Sequence, residues 1–465
     1  MLYDNNAGRT VAALSTPRAA GGIAVIRISG DRSREICDRV FRCISSDKKP
    51  SEMKGYTCAY GNIVSAEGEV IDDGVITVYR SPRSYTGEDV AEISCHGGVF
   101  VSERVLRRIY EEGAFPAAGG EFTKRAYLNG KMSLTQAEAV MDIIGAEGAA
   151  FCRRSVGVRE GSLFKRIRSC SGRLLKILGQ IGAWVDYPEE DIPGIGNDEL
   201  ISELKSIREE FIKISHGYDN GAILRSGIDT VIAGKPNVGK STLMNFLAGY
   251  EKSIVTDIAG TTRDIVEESV RLGDIVLRLS DTAGLRSSGD VIEEIGIKRA
   301  EKKLEGAELI IAVFDNSVCL DDDDRRLFEL VKGCENKGVK IIACINKSDK
   351  ASVIDRSEIK NAFGCVIDIS AESGDGIDKL QAVLTDMFID MSGYDDITVN
   401  ERQKICLDRA VSSVNEAIEA IEAGVTLDAV EVVIEEAQSA LLELTGERVS
   451  EAVVNEVFSH FCVGK

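Results

Sequence analysis

Residues Gly234 to Ser241 read GKPNVGKS, with two glycines, a lysine and a hydroxyl at the spacing of a loop that wraps a phosphate. Glycines let successive backbone N–H groups turn toward one anion. Lys240 can reach the outer phosphate oxygens as the catalytic charge, and Ser241 can complete a Mg²⁺ coordination sphere. Asn237, Val238, Gly239 and Thr242 belong to the same nucleotide-binding segment. DTAG follows at Asp281, Thr282, Ala283 and Gly284. Its carboxylate can hold Mg²⁺ through water, and its glycine N–H can sense a γ-phosphate. NKSD contains Asn346, Lys347 and Asp349. The Asp349 carboxylate can accept both N–H donors on the guanine edge, a pair that adenine lacks. Ser370, Ala371 and Glu372 supply the short turn that backs the base. These elements, in this order, imply a site for GTP.

Between the first two lies TDIAGTTRD, a polar loop holding Thr256, Asp257, Ile258, Ala259, Gly260, Thr261 and Thr262, with threonine hydroxyls as candidate ligands. The residue after DTAG is Leu285. Ras-type proteins carry there a Gln that orients the attacking water, so this chain must position its water by other means. Asp290, Glu293 and Glu294 are the acidic candidates within reach of the same loop.

The elements that must carry these loops are legible as apolar runs. IDTVIAG, DIVLRLSDTAG, ELIIAVFDNS, KIIACINKSD and CVIDISAESG alternate with helical patterns, and several end in polar residues. A doubly wound parallel sheet presents its ligand at those strand ends. The expected fold is multidomain α/β. Residues 1–121 form an N-terminal α+β domain, residues 122–220 and 390–465 a discontinuous all-helical domain, and residues 221–389 an inserted P-loop, Ras-like GTPase domain. The N-terminal strands are expected in GGIAVIRISG, GVITVYR and DVAEISCHGG, with one helical pattern from about Val101 to Glu112.

Length and composition fit that division. At 465 residues the chain is too long for one core. Its 44% hydrophobic and 28% charged residues exclude wholesale disorder. A net charge of −20 disfavours DNA and anionic membranes. Residues 151–180 are the exception, with eight Lys or Arg against one Glu. They read as a solvated helix face, with an anionic partner such as RNA as the alternative. Twelve scattered cysteines and an N-terminus without signal-peptide character lead to an expected cytoplasmic location. No apolar run is long enough for a membrane span. Neither Cys95 with His96 nor His460 with Cys462 has zinc-ligand spacing, so no zinc is expected.

GKPNVGKS, TDIAGTTRD, DTAGLR, NKSD, GGIAVIRISG, TGEDVAEISCHGG, GEFTKRAYLNGKMSLTQAEAV and the terminal FCVGK together resemble the MnmE (TrmE) family of tRNA modification GTPases, from end to end. The resemblance implies a homodimer that works with the flavoprotein MnmG (GidA) as a heterotetramer. Together they add an aminomethyl or carboxymethylaminomethyl group at carbon 5 of the wobble uridine of tRNA. It implies K⁺ on Asn237, Thr256, Ile258 and Thr261, Mg²⁺ on Ser241 and Thr262, and Glu293 at the family's water-orienting position. It also implies a tetrahydrofolate derivative, 5-formyl or 5,10-methylene, at Arg27, Glu92, Lys131 and Lys465, and Cys462 as a suspected catalytic residue. Without the family, Arg27, Glu92 and Lys131 read as ordinary strand-edge, surface and turn residues. Two other readings compete: a GTPase switch in ribosome assembly, and an N-terminal domain that only dimerises the chain.

Overall fold

The computed structural model describes residues 8–44, 47–186, 196–250, 268–281, 304, 306–388 and 397–465. The chain divides into two compact units. One comprises Met1–Met141, Phe164–Leu175 and Gln438–Lys465, and the other Asp142–Leu163 and Lys176–Ala437.

The first unit is built on a seven-stranded sheet of β1 (Val11–Leu14), β2 (Ile23–Ser29), β3 (Phe41–Cys43), β4 (Thr57–Val64), β5 (Val70–Tyr79), β6 (Val90–His96) and β7 (Phe115–Pro116), in the order β3-β4-β5-β6-β2-β1-β7. All neighbours are antiparallel except β1 and β7. Strand side chains alternate between faces. Ala24, Ile26 and Ile28 of β2 therefore join Ile93 and Cys95 of β6 in one core with α1 (Ser33–Val40) and α2 (Val99–Glu111). Arg27 and Glu92 project from the opposite face. The sequence pattern missed α1, because eight residues with only three buried apolar side chains, Ile36, Cys37 and Val40, hold too few turns to establish a period. A second small core joins Leu134 and Ala137 of α4 (Leu134–Ile144) to Val454 and Phe458 of α14 (Glu451–Ser459) and to Phe461.

In the second unit a six-stranded sheet runs β13 (Val366–Asp368), β12 (Lys340–Asn346), β11 (Leu309–Asp315), β8 (Ile228–Ala233), β10 (Ile275–Asp281) and β9 (Glu268–Leu272). Only the β9–β10 pair is antiparallel. Every residue of β11 is buried. Alternate residues feed two cores, Leu309, Ile311 and Val313 on one face and Ile310, Ala312 and Phe314 on the other. That is why a central parallel strand reads as one continuous apolar run. Phe314 packs edge-on to Phe328 at 5.3 Å and tilted against Phe363 at 5.8 Å, which fixes the strand end that carries Asp315. Truncating a Phe buried in this way costs about 3–5 kcal/mol.

Helices flank this sheet in sequence. Helix α7 (Asn197–Ser226) continues to the residue before Gly227, so the expected border at 220/221 falls inside it, and β8 begins at Ile228. Helix α12 (Glu401–Glu422) packs along α7, with Arg208 donating to Asn415 at 3.0 Å and Ser215 to Asp408 at 3.2 Å. The segments before and after the α/β block thus meet within this unit.

Candidate active site

The phosphate loop links β8 to α8 (Lys240–Tyr250). Asn237 sits at φ 65°, a left-handed conformation that Asn adopts more readily than most residues. Gly239 sits at φ 98°, and a Cβ there would lie 2.2 Å from the Asn346 amide nitrogen. Glycine is therefore required both by the backbone and by what faces it. The Lys240 ammonium donates to the carbonyls of Gly234 at 2.7 Å and Lys235 at 2.8 Å, which ties its charge to the loop. Val238 is buried, whereas Ser241 and Thr242 on the first turn of α8 are exposed.

The C-terminal ends of the neighbouring parallel strands come to the same edge. The Asn346 amide donates to the Val238 carbonyl at 2.8 Å and accepts from the Ala371 N–H at 2.9 Å. One buried side chain thus joins the phosphate loop, NKSD and the turn at Ser370–Ala371. The Asp349 carboxylate is exposed and accepts from the Ser370 hydroxyl at 2.7 Å. That bond, reinforced by backbone N–H donation, holds the carboxyl below its usual range. Glu372 is exposed. Lys347, at φ 61°, donates to the Asn237 carbonyl at 2.9 Å and pairs with Asp315 at 2.5 Å. Burial pushes the Asp315 carboxyl up, but Lys347 and Ser317 outweigh it and the net shift is down.

Asp281 ends β10 in register with Ile232 of β8, so DTAG begins at this edge. Thr282, Ala283, Gly284, the segment from Thr256 to Thr262 and Glu293 lie outside the described residues.

Two supports of the site escaped sequence reasoning. Lys235 donates to Asp321 and Asp324, each at 2.7 Å, and these two residues form the capping box of α9 (Asp322–Glu335). Burial would lower the Lys235 ammonium, but the two carboxylates outweigh it and raise it, while Asp321 falls to about 2. Asn316, 1% exposed, bonds to the Lys347–Lys350 turn. The only signal for it was the polar ending of ELIIAVFDNS.

In the first unit, Arg27 and Glu92 are register partners on β2 and β6, and their side chains form an ion pair at 2.8 Å. The Arg27 guanidinium lies 5.2 Å from the Tyr85 ring and 5.4 Å from the Phe122 ring. Tyr79 donates to Glu92 at 3.3 Å, and burial, then Glu92, raises its phenol. None of these three aromatics was singled out by sequence. The Lys465 carbonyl accepts from the Phe122 N–H at 3.1 Å, which brings the chain terminus to the same aromatic. Gly464 makes that approach possible, because a Cβ there would lie 2.3 Å from the Leu14 carbonyl oxygen. Lys131 donates to the Pro82 carbonyl at 3.0 Å. A cavity of about 410 Å³ lined by Leu14, Arg18, Tyr110 and Val463 contains none of the four folate candidates.

Cys462 is exposed and lies beyond α14, which ends at Ser459, so it is not a helical residue. Its carbonyl accepts from the Gly120 N–H at 3.2 Å. His460 faces Glu456 at 3.1 Å. In the basic stretch, Arg153 pairs with Asp274 at 2.7 Å and Arg154 is buried, whereas Lys165, Arg168 and Lys176 are exposed on α6 (Ser162–Asp186). No described helix is long and apolar enough to cross a membrane.

Comparison with known proteins fits both halves of this geometry. Residues 10–131 match the family described as GTP-binding protein TrmE N-terminus, and residues 134–462 match the MnmE helical domain. The tRNA modification GTPase MnmE of Acetivibrio thermocellus is 41% identical over 98% of this chain and 99% of its own. The chain belongs to the MnmE family of tRNA modification GTPases. The MnmE of Enterococcus faecalis is 38% identical over 98% of both chains. Among solved structures, the G domain of the T. maritima FeoB iron transporter covers 34% of this chain and 97% of its own, with 26% identity and a TM-score of 0.26. As an MnmE-family GTPase, the chain binds and hydrolyses GTP and acts in tRNA modification, with tRNA as substrate. Its fold is mixed α/β, with a P-loop GTPase domain alongside the N-terminal and helical domains of the family.

Proposed function

We propose that this chain couples GTP hydrolysis to modification of carbon 5 of the tRNA wobble uridine, as a cytoplasmic homodimer that assembles with the flavoprotein MnmG. The observation that carries the nucleotide half is the Asn346 amide bridging Val238 and Ala371, beside an Asp349 already oriented by Ser370. A carboxylate aimed in this way matches the two N–H donors of guanine. Lys240 and the loop N–H groups would hold the phosphates.

The donor set fits hard cations. The Ser241 hydroxyl, with Thr262, would hold Mg²⁺. The side-chain carbonyl of Asn237, with Thr256, Ile258 and Thr261, would hold K⁺, which supplies positive charge where the phosphates are negative. Glu293 is assigned to orienting water. Charge accumulating in the transition state is then met by fixed groups of this chain, Lys240 and the backbone N–H donors of the P-loop.

The Arg27–Glu92 pair offers both the acceptor and the donors a pterin requires, the half-buried Tyr85 offers a ring face, and the fully buried Phe122 backs the Arg27 guanidinium. Lys131 and Lys465 are assigned to the folate glutamate tail, and a bound tetrahydrofolate would supply a one-carbon unit. Cys462 is exposed enough to react. Mass spectrometry of digested tRNA from cells with and without the gene tests the proposal. C5-substituted wobble uridines should vanish and return with the intact gene. Their persistence would move the reading to the ribosome-assembly switch.

A further inference from the structure

We propose that Asn316 is a positioning residue for guanine selection, acting on Asp349 through the turn from Lys347 to Lys350. The inference rests on the reading that Asp349 accepts from the base.

Asn316 follows the last residue of β11, and Asp315 is the register partner of Asn346 on β12. All the polar groups of Asn316 are engaged with the base-reading loop or its exit. Its N–H donates to the Asn346 carbonyl at 2.9 Å, and its carbonyl accepts from Val353 at 2.8 Å and Ile354 at 3.3 Å. Its side-chain amide donates to the Lys350 carbonyl at 3.0 Å and the Lys347 carbonyl at 3.4 Å. The amide oxygen accepts from Arg356 at 3.1 Å. Arg356 in turn reaches Asp368, two residues before Ser370, at 3.0 Å. Lys350 N–H closes the turn on the Lys347 carbonyl at 2.9 Å. One buried amide therefore grips both ends of the turn that contains Asp349, while Ser370 holds the carboxylate from the other side.

The chemistry requires an amide. Two donors meet two carbonyls, and the single acceptor meets a guanidinium. An aspartate would set a carboxylate against the two carbonyls, and an alanine would leave them unanswered. The turn is also strained, since Lys347 sits at φ 61°, so its shape depends on these bonds. A base-reading carboxylate displaced by a fraction of an ångström loses directional hydrogen bonds while the phosphate contacts stay in place.

The test compares GDP with inosine diphosphate on the full chain by calorimetry. Inosine lacks the 2-amino group, so the ratio of the two dissociation constants reports on Asp349 while phosphate and ribose contacts cancel. The wild type should favour GDP. Equal binding would refute the base-reading role itself and the inference with it. Given discrimination, Asn316→Ala should reduce the ratio by at least about fivefold, the worth of one neutral hydrogen bond. A general loss of fold would weaken both nucleotides alike and leave the ratio unchanged, and that result overturns the proposal. Arg356 is 40% exposed, so Arg356→Ala spares the core and serves if Asn316→Ala does not fold. It should reduce the ratio by about twofold or more, because it removes one of the bonds that fix the amide. An unchanged ratio in Arg356→Ala also counts against the proposal.

Discussion

Replacing Gly239 by alanine tests whether the phosphate loop and the base-reading loop are one mechanical unit. The new Cβ would fall 2.2 Å from the Asn346 amide nitrogen, at a backbone φ of 98° that L side chains rarely adopt. Two costs follow. The backbone strain is worth about 1–3 kcal/mol. Expelling the Asn346 amide breaks its bonds to Val238 and Ala371, at about 1 kcal/mol each. Together they predict a loss of GDP affinity of at least about 10²-fold. The effect should be strongly non-additive with Asn346→Ala, because in that background the amide is already gone and only the strain remains. There Gly239→Ala should cost roughly 5- to 150-fold. The assay is equilibrium titration of a fluorescent guanosine diphosphate against the four proteins of the cycle. If Gly239→Ala binds within about threefold of wild type, the steric argument is wrong. If it costs the same in both backgrounds, the clash with Asn346 is not its cause.

Other consequences can be measured directly. Asn237→Gly keeps the left-handed backbone while deleting the side-chain carbonyl. GTP hydrolysis by this variant should be equal in KCl and NaCl with GDP affinity retained, and a persisting potassium preference would remove Asn237 from the cation site. Glu293→Ala should leave nucleotide affinity nearly unchanged and slow hydrolysis by about 10² or more, the scale of a lost positioning group, so a wild-type rate would dismiss it. His96 bonds Asp72 at 2.7 Å, and that bond raises the imidazole above its usual value. Burial would raise the Asp72 carboxyl, but His96 outweighs it and the net shift is down. The pair therefore contributes stability fully below the unfolded imidazole pKa of about 6.5, and loses it as pH rises through the higher folded value. At the acid end the contribution disappears as pH falls through the lowered carboxyl value. An NMR titration should place His96 above its reference value, and Asp72→Asn should bring it down. An unmoved titration would show that the bond does not form in solution.

What could be read from the sequence is set by how far a constraint reaches along the chain. A phosphate loop is local. The spacing of Gly234, Gly239, Lys240 and Ser241 is imposed by one ligand on one turn, so it survives in one dimension. The strand runs were equally legible, because β11 is buried on both faces and cannot afford a polar residue before Asp315. The neighbouring supports are of another kind. Asn316 matters because β11 lies beside β12, and Lys235 because α9 starts above the phosphate loop, so strand order decides their meaning rather than spacing. Arg27 and Glu92 are 65 residues apart and meet only through an antiparallel register. Resemblance to a family named them, but composition and periodicity could not have paired them, and Tyr79, Tyr85 and Phe122 went unnoticed for the same reason. At the far end, a helical stripe gives no warning that α14 stops at Ser459, where the chain turns so that Gly464 can pass under Leu14. Residues that touch a ligand through one loop are therefore found early, and residues that hold those loops in place are found only when neighbouring strands are seen together. Asn316 belongs to the second class. The comparison of GDP with inosine diphosphate asks whether such a support carries specificity as well as shape.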